Sequence, residues 1–598
     1  MADSLGTFCL VLHGHLPYVL HHGTWPHGED WLYEAAAETY LPLLAMLEEC
    51  TFLNASPRMT IGLTPVLLEQ LTHPHFRSGF ETYLQNRLEK AQADEQEFNE
   101  IGNGHMAHLA TRWQETFSRL QQQFSDIGRD IPGAFRQMVD RGLVELLTSN
   151  ATHAYMPLML SDMAIRAQIR AGLATSERIL GFRPGGMWFP ECAYRPSGRW
   201  TPTVPWGEPF DRPGLEHLAA DAGIHHFFVE SKLIENSRSE QVHHDGMWFN
   251  VDYDEAVKYR SRGWRSVNEA HGVNSDGNGL ARLWVMGRDQ DVCEKVWSGT
   301  IGYPADGAYL EFHKQWGPRR GLRYWKITGK DAGLGDKHLY QPDEIKAKVH
   351  EHASHFCGAV KDALRRHREQ TGRTGVVVCT FDAELFGHWW AEGGDFIRDV
   401  MLNMNADPEI TQDTTMGYFE RTFVDRVISL PEGSWGEEAD HRVWHNDQVD
   451  WMWEIEFRCE ATFGRLLSEL DWRGRDDVRE LLETAGRELL LLQASDWPFV
   501  IRRGQAVDYG IKRFIQHVAC FDTLCDAAEK VAEDPDHLEK LTDVQRHDLE
   551  ASALHDVIFP EINLAWWDAA ATIEGERDPG ADAVPQPSGA ALKASSSD

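Results

Sequence analysis

The sequence predicts an α/β protein, in which an incomplete parallel barrel is followed by an α-helical domain. Apolar segments typical of buried strands alternate with helical periodicity through the first two thirds of the chain. Such alternation favours a parallel sheet with helices outside it. About seven strands are predicted, one fewer than in the common eight-stranded barrel. They are Thr7–Leu12, Met59–Leu63, Leu143–Leu147, Gly186–Phe189, His225–Val229, Ala281–Val285 and Val376–Thr380.

Two segments of the predicted barrel domain, residues 1–430, interrupt this alternation. Residues 66–140 lack strand signals, and within them Phe80–Phe124 is rich in Glu, Gln, Arg and Leu at helical spacing, which predicts a helical insertion. Asn236–Val296 is polar and contains glycines, which predicts a long, irregular loop. Loops of this length in compact domains are usually functional or disordered.

The last third of the chain is almost wholly helical in pattern. Arg475–Gln493 and Ile511–Val531 are examples, and residues 431–576 are therefore predicted to form a separate all-α domain. The segment 577–598 contains mainly Pro, Ala, Ser and Gly, which cannot build a core, and it is predicted to be disordered.

Composition narrows the class of partner. With 58 basic and 93 acidic residues, the net charge of −35 argues against nucleic acid and anionic membranes as partners. No apolar run approaches the length of a transmembrane helix. Nine cysteines without a C-x-x-C pair, and a first segment Met1–Leu5 without export features, predict a cytoplasmic protein.

Two acids follow predicted strands and are flanked by aromatic residues. Glu191 follows Trp188-Phe189-Pro190, and Asp382 follows the run Val376–Thr380. Because catalytic residues of parallel barrels lie at the carboxyl ends of strands, paired acids there suit glycoside chemistry. Structural alternatives are an ion pair of Glu191 with Arg195 and a helix N-cap at Asp382. Glu384 is a second candidate acid, or a group that orients His388.

Histidines at strand ends support a different interpretation. His13 and His15 alternate at the end of the first strand and therefore lie on one face. With His153 and Asp382 they could form a metal site of the amidohydrolase kind. No further ligand motif accompanies them, and we expect neither a metal nor another cofactor.

Tryptophans beside acids mark the helical region as well. Trp435 and Trp444 lie in Pro431–Trp444, and Asp496 precedes Trp497. Flat aromatic faces suit the C–H faces of a sugar ring, whereas a domain interface would use the same residues for packing.

Taken together, these motifs resemble glycoside hydrolase family 57, within it the 1,4-α-glucan branching enzymes, over most of residues 5–530. The segments that carry the resemblance are Leu12–Tyr18, Thr148–His153, Trp188–Pro196, Phe381–Trp390, Pro431–Trp444 and Ala494–Phe499. The resemblance implies a (β/α)7 barrel with a helical insertion and a C-terminal helical domain. It also implies a retaining reaction without a metal on an α-1,4-glucan such as amylose or a glycogen-like polysaccharide.

The resemblance implies roles for individual residues. Glu191 corresponds to the nucleophile and Asp382 to the acid/base, and retention predicts carboxyl groups about 5–5.5 Å apart. Substrate contacts are expected from His13, His15, His153, Trp297, Trp389, Trp435, Trp444 and Asp496. The family's branching enzymes carry a mobile loop whose tyrosine covers the site; here Tyr253 or Tyr259 is the candidate. An α-amylase-like hydrolase or a 4-α-glucanotransferase of the same family, and a metal-dependent amidohydrolase, remain as alternatives.

Overall fold

A computed structural model describes residues 4–205, 207–244, 247–251, 265–277, 281–317 and 321–568. The chain forms an α/β fold that consists mostly of helices. It divides into two compact units, the first made of residues 1–61, 70–146 and 288–419 and the second of residues 62–69, 147–287 and 420–598. Among the described residues, no helix is both long enough and apolar enough to cross a membrane.

A sheet of buried strands is the centre of the first unit. Its path is Gly375–Asp382, Gly6–Gly14, Met59–Leu63 and Val144–Leu147, and Ile410–Gln412 also pairs with Gly6–Gly14. The strand Gly375–Asp382 contains three consecutive valines, whose branched side chains favour extended backbone. It runs parallel to Gly6–Gly14 in a register that ends with His13 opposite Asp382. The register brings two predicted site residues to neighbouring strand ends.

The second unit contains a six-stranded sheet. Its order is His226–Glu230, Leu283–Arg288, His271–Val273, Arg426–Ser429, Arg238–His244 and Met247–Asn250. Four of its strands lie in the segment predicted to be a long, irregular loop, Asn236–Val296, so that prediction was wrong for the described residues. The short strands in this segment contain polar residues and glycine, so they lack the apolar alternation that predicts a strand. Their pairing partners, such as Arg426–Ser429, are far away in the sequence.

One predicted strand, Gly186–Phe189, is only two isolated bridges. Met187 pairs with Thr148 and Gly186 with His226. A side chain at Gly186 would meet the His226 ring at 2.6 Å, so glycine permits this close approach. Pro190 then ends the extended segment, because it starts a turn rather than continuing a ladder. The remaining predicted strands lie within a few residues of those observed.

Helices of eight or more residues surround the sheets and fill the C-terminal part of the chain. They are Leu41–Phe52, Pro65–Thr72, Pro74–Glu100, Gly104–Asp126, Ile131–Asp140, Asp162–Leu180, Gln290–Trp297, Pro342–Thr371, Gly393–Ala406, Asp450–Glu469, Asp476–Leu492, Asp496–Arg503, Val507–Glu533 and Asp543–Ala553. Their ends follow local rules: Ser161 accepts hydrogen bonds from Met163 and Ala164, and Gly181 ends the same helix with a left-handed φ of 81°.

Candidate active site

Glu191 lies in a strained turn of the second unit. The turn Pro190–Cys192 gives Glu191 a φ of 62° and a ψ of 22°, and Cys192 a φ of 49°. Left-handed backbone in a residue other than glycine costs on the order of 1–3 kcal/mol and concentrates at functional sites. The strained backbone therefore supports a functional role for Glu191.

Trp435 holds the Glu191 carboxylate. The indole Nε1 of Trp435 donates to Glu191 Oε2 at 2.6 Å, and the Trp435 amide donates to the Glu191 carbonyl at 3.0 Å. Trp188 packs edge-on against Trp435, with ring centres 5.1 Å apart. An indole can only donate, so the oxygen it meets must accept. This contact orients the carboxylate.

His153 lies beside Glu191 in the same unit. Its Nδ1 is 3.9 Å from Glu191 Oε1 and 2.9 Å from the hydroxyl of Ser495, and the Ser495 amide donates to the His153 carbonyl at 3.1 Å. His153 also has a left-handed φ of 60°. Asp496, the first residue of the helix Asp496–Arg503, directly follows Ser495 in the chain and is therefore held next to the partner of His153.

Trp444 is buried, in contrast to the exposed face expected of a sugar platform. Only 1% of its surface is accessible, and its ring stacks on Tyr155 at 4.5 Å with an interplanar angle of 22°. Both rings belong to a hydrophobic cluster against which Trp435 packs. In this structure Trp444 therefore supports Trp435 from the core.

Asp382 and His13 lie on neighbouring strand ends of the first unit. They are partners in the parallel register, and the rings of His13 and His15 stack with centres 6.0 Å apart. His13 is buried, and burial together with the nearby His15 lowers its pKa well below the usual value. His13 is therefore a neutral imidazole near neutral pH.

Asp382 stands at the N-cap of the turn Ala383–Leu385, but, within the described part of the chain, its side chain makes no capping hydrogen bond to that turn. The capping alternative thus lacks its defining contact. Glu384, two residues on, is buried and accepts from the His15 amide at 3.1 Å and from the Tyr40 hydroxyl. Burial raises the pKa of Glu384, against the effect of the Tyr40 hydrogen bond. Glu384 therefore joins the ends of two adjacent strands.

His388 has a different carboxylate partner from the one considered from the sequence. Its Nδ1 is 2.7 Å from Glu38 Oε2, whereas Glu384 binds elsewhere. Arg323 Nη2 donates to the other Glu38 oxygen at 2.6 Å. Although burial lowers the pKa of His388, the hydrogen bond and charge of Glu38 raise it overall.

Two predicted sugar contacts expose aromatic faces in the first unit. Trp297 ends the helix Gln290–Trp297 with 40% of its surface exposed, and its ring is 6.4 Å from that of Phe381. Trp389 is 50% exposed and packs against Phe312 at 4.7 Å. The two lid candidates, Tyr253 and Tyr259, lie outside the described residues.

Several supporting residues were not found from the sequence. Tyr40 and Glu38 lie more than 340 positions from the residues they bind, and Ser495 lies 342 from His153. Local spacing carries no signal for such pairs. The local signal for a site there was the acid and tryptophan that follow Ser495, Asp496 and Trp497.

The family model of glycosyl hydrolase family 57 matches residues 9–431. The chain therefore belongs to glycoside hydrolase family 57, a class of carbohydrate-active enzymes. A second family model, described as the C-terminal region of 1,4-alpha-glucan branching enzymes, matches residues 458–567. Membership of this family contradicts the amidohydrolase alternative.

Relatives and solved structures agree with this assignment. A 1,4-alpha-glucan branching enzyme of Thermococcus kodakarensis is 37% identical over 524 residues, covering 87% of this chain and 73% of that protein. Its crystal structure, with glucose and additives, has a TM-score of 0.82 at 35% identity and covers 96% of this chain and 99% of the other. The GH57-type branching enzyme of Pyrococcus horikoshii has a TM-score of 0.83 at 33% identity, with the same coverage. The alpha-amylase AmyC of Thermotoga maritima has a TM-score of 0.77 at 26% identity, covering 95% and 100%.

Proposed function

We propose that this protein is a 1,4-α-glucan branching enzyme, which cleaves an α-1,4 linkage and transfers the released chain to a 6-hydroxyl. The observation that carries the proposal is the 37% identity to a 1,4-alpha-glucan branching enzyme over 87% of the chain. The branching-enzyme match at residues 458–567 supports it independently. The expected substrate is an α-1,4-glucan such as amylose or a glycogen-like polysaccharide.

The architecture that accompanies this function is a proposal as well. We infer an incomplete (β/α)7 barrel in residues 1–430, with a helical insertion at 66–140. Residues 431–576 would form the all-α domain; the predicted tail, 577–598, lies outside the described residues. The parallel strand pairs of the first unit and the helices after residue 450 are consistent with this division.

Glu191 is the proposed nucleophile and Asp382 the proposed acid/base. A Glu191 oxygen attacks C1 of the donor sugar, the C1–O4 bond breaks, and the leaving oxygen takes the proton of Asp382. Asp382, now ionised, removes the proton of the acceptor 6-hydroxyl, whose oxygen attacks C1 and releases Glu191. The indole donor on Glu191 supports this role, because it stabilises a carboxylate that is ready to attack.

Further residues are proposed as substrate contacts. They are His13, His15, His153, Trp297, Trp389, Trp435 and Asp496. The exposed faces of Trp297 and Trp389 suit stacking on sugar rings. Trp444, which is buried, would act by supporting Trp435.

An α-amylase-like hydrolase is the second candidate, and the similarity to the alpha-amylase of Thermotoga maritima favours it. Incubation with amylose distinguishes the two, since transfer creates α-1,6 linkages and hydrolysis creates reducing ends. A branching enzyme yields many more α-1,6 linkages than reducing ends, and the reverse ratio would support the hydrolase. Replacing Tyr253 and Tyr259 together with alanine tests the lid: the ratio should move toward reducing ends, because water then reaches the glycosyl-enzyme.

A cytoplasmic location remains a prediction from the cysteine pattern. Fractionation of the source cells, with branching activity measured in each fraction, tests it.

A further inference from the structure

A histidine-rich loop of the first unit leads from the strand Gly6–Gly14 to the helix Glu29–Ala35. The loop closes on itself, since the amides of Glu29 and Asp30 donate to the carbonyls of Gly23 and Thr24 at 3.0 and 3.2 Å. Within it, His21 has a left-handed φ of 66°. This backbone is unfavourable for histidine, and it turns the residue back toward Glu29, whose Oε1 accepts from the His21 amide at 2.8 Å.

A second histidine reaches the same carboxylate from another helix. His75 lies in the first turn of Pro74–Glu100, and its Nε2 is 2.9 Å from Glu29 Oε1. The rings of His21 and His75 are 4.1 Å apart between centres. Side-chain ligand atoms of His21, Glu29 and His75 all lie within 4.8 Å of one another. Two imidazoles and a carboxylate thus share one small volume.

We propose that His21, Glu29 and His75 bind a divalent transition metal of the zinc type, with water as the fourth ligand. Two histidines and one carboxylate are a ligand set that zinc accepts, with an open position for water. The site is accessible, because His21 is exposed and the side chain of His75 is 39% exposed. This metal site goes beyond the proposed glucan chemistry and does not depend on it.

The positive ends of two helices lie near the site and oppose a cation. Glu29 and the buried Asp30 supply two negative charges in the first turn of the helix Glu29–Ala35, which offset this field. Binding would connect the loop to the helix Pro74–Glu100, so a bound ion should also stabilise the folded chain by mass action.

A buried cluster of the second unit has similar residue types but different chemistry. Glu488, His517, His555 and Asp556 also lie within 4.8 Å of one another. However, Arg513 Nη2 is 3.0 Å from His517 Nε2, and arginine can only donate. Nε2 therefore accepts, and Nδ1 carries the proton toward Glu488 Oε2 at 2.8 Å. The His517 nitrogen that faces the carboxylates holds a proton where a metal would need a lone pair.

Isothermal titration of the chelator-treated, full-length protein with Zn²⁺ tests the proposal. The wild type should bind one more equivalent than His21→Gly and than His75→Ala. Glycine at position 21 relieves the left-handed backbone, so His21→Gly should keep the fold while losing the ligand. His350→Ala removes a histidine whose side chain is 65% exposed in the same unit and should bind as the wild type does. Zn²⁺ should also raise the Tm of the wild type and of His350→Ala more than that of His21→Gly.

The result that overturns the proposal is equal zinc stoichiometry in the wild type and in both site variants. Equal stoichiometry with a folded His21→Gly protein would show that any bound zinc lies elsewhere. Branching activity on amylose is measured in parallel, because its absence in all variants would count against the proposed function and leave the zinc result intact.

Discussion

The indole nitrogen of Trp435 lies 2.6 Å from Oε2 of Glu191, and the backbone amide of Trp435 donates to the carbonyl of the same glutamate. One residue therefore fixes both the strained backbone and the carboxylate of the proposed nucleophile. Trp435 was expected to contact sugar; its hydrogen bond gives it an additional positioning role.

Replacing Trp435 with phenylalanine keeps an aromatic ring against Trp188 but removes the donor. A hydrogen bond to a charged group contributes about 1.5–3 kcal/mol, so kcat on amylose should fall roughly 10- to 100-fold. Trp451→Phe is a matched control, since it also loses an indole hydrogen bond, an exposed one to the Gln448 carbonyl. Activity of Trp435→Phe within twofold of the control would argue against the positioning role.

Asp382→Asn should separate the two halves of the reaction. The amide cannot protonate a sugar leaving group, so cleavage of amylose should nearly cease. A glycosyl fluoride, whose leaving group needs little protonation, should still glycosylate the enzyme. Steady-state rates on both donors measure this difference. Equal loss on both donors would mean that Asp382 acts in some other way.

Tyr40→Phe should weaken the connection between the ends of the strands that carry His13 and Asp382. Tyr40 donates to Glu384, and the same oxygen accepts from the His15 amide. Loss of one donor from a buried carboxylate costs about 1–3 kcal/mol of stability. Tyr303→Phe, which loses a hydroxyl contact to His355, is the control. Both variants should have a lower Tm, but only Tyr40→Phe should also lower kcat; equal activities would show that Glu384 is purely structural.

Glu145 should make stability depend on pH. Burial raises its pKa to about 7, although hydrogen bonds from Met416, Thr415 and Thr60 oppose this. In the unfolded chain its pKa is about 4.3. Between these values the folded state binds more protons, so stability falls as pH rises from about 4.3 to 7 and then levels off.

Glu145→Gln removes this titration and keeps an acceptor for the same donors. The stability of the variant relative to the wild type should therefore increase between pH 5 and pH 7.5, by roughly 3 kcal/mol at most. Denaturant titrations at the two pH values measure the change. An unchanged difference between the two proteins would show that Glu145 titrates normally.

The local sequence predicted the parts of the fold that depend on local physics. Valine-rich Gly375–Asp382 and the helix Asp476–Leu492 were both predicted, because buried strands and helical periodicity leave signals within a few residues. The strands His271–Val273 and Arg238–His244 were not, because each depends on pairing with Arg426–Ser429. A short polar strand has no apolar pattern of its own, and a partner so far away in the sequence cannot be identified from local residues.

The candidate site shows the same division. Glu191 and Asp382 were predicted from the ends of apolar segments, and the strain at Glu191 adds support that no residue pattern contains. The partners Tyr40, Glu38 and Ser495 were missed, since each acts across several hundred residues. Burial of Trp444 was also missed, because the residues around a tryptophan beside acids are the same in the sequence whether its ring faces a sugar or the core.

Trapping of the covalent intermediate tests the central claim most directly. The variant Asp382→Asn is incubated with an α-glucosyl fluoride. Formation of the glycosyl-enzyme should proceed, because fluoride needs little protonation, whereas the second step should be blocked, because the amide cannot act as its general base. The protein is then digested and mapped by mass spectrometry. We predict one added glycosyl group on the peptide that contains Glu191, and none when Glu191→Gln is combined with Asp382→Asn. A glycosyl group on any other residue, or the same adduct in the double variant, would contradict the assignment of Glu191 as the nucleophile.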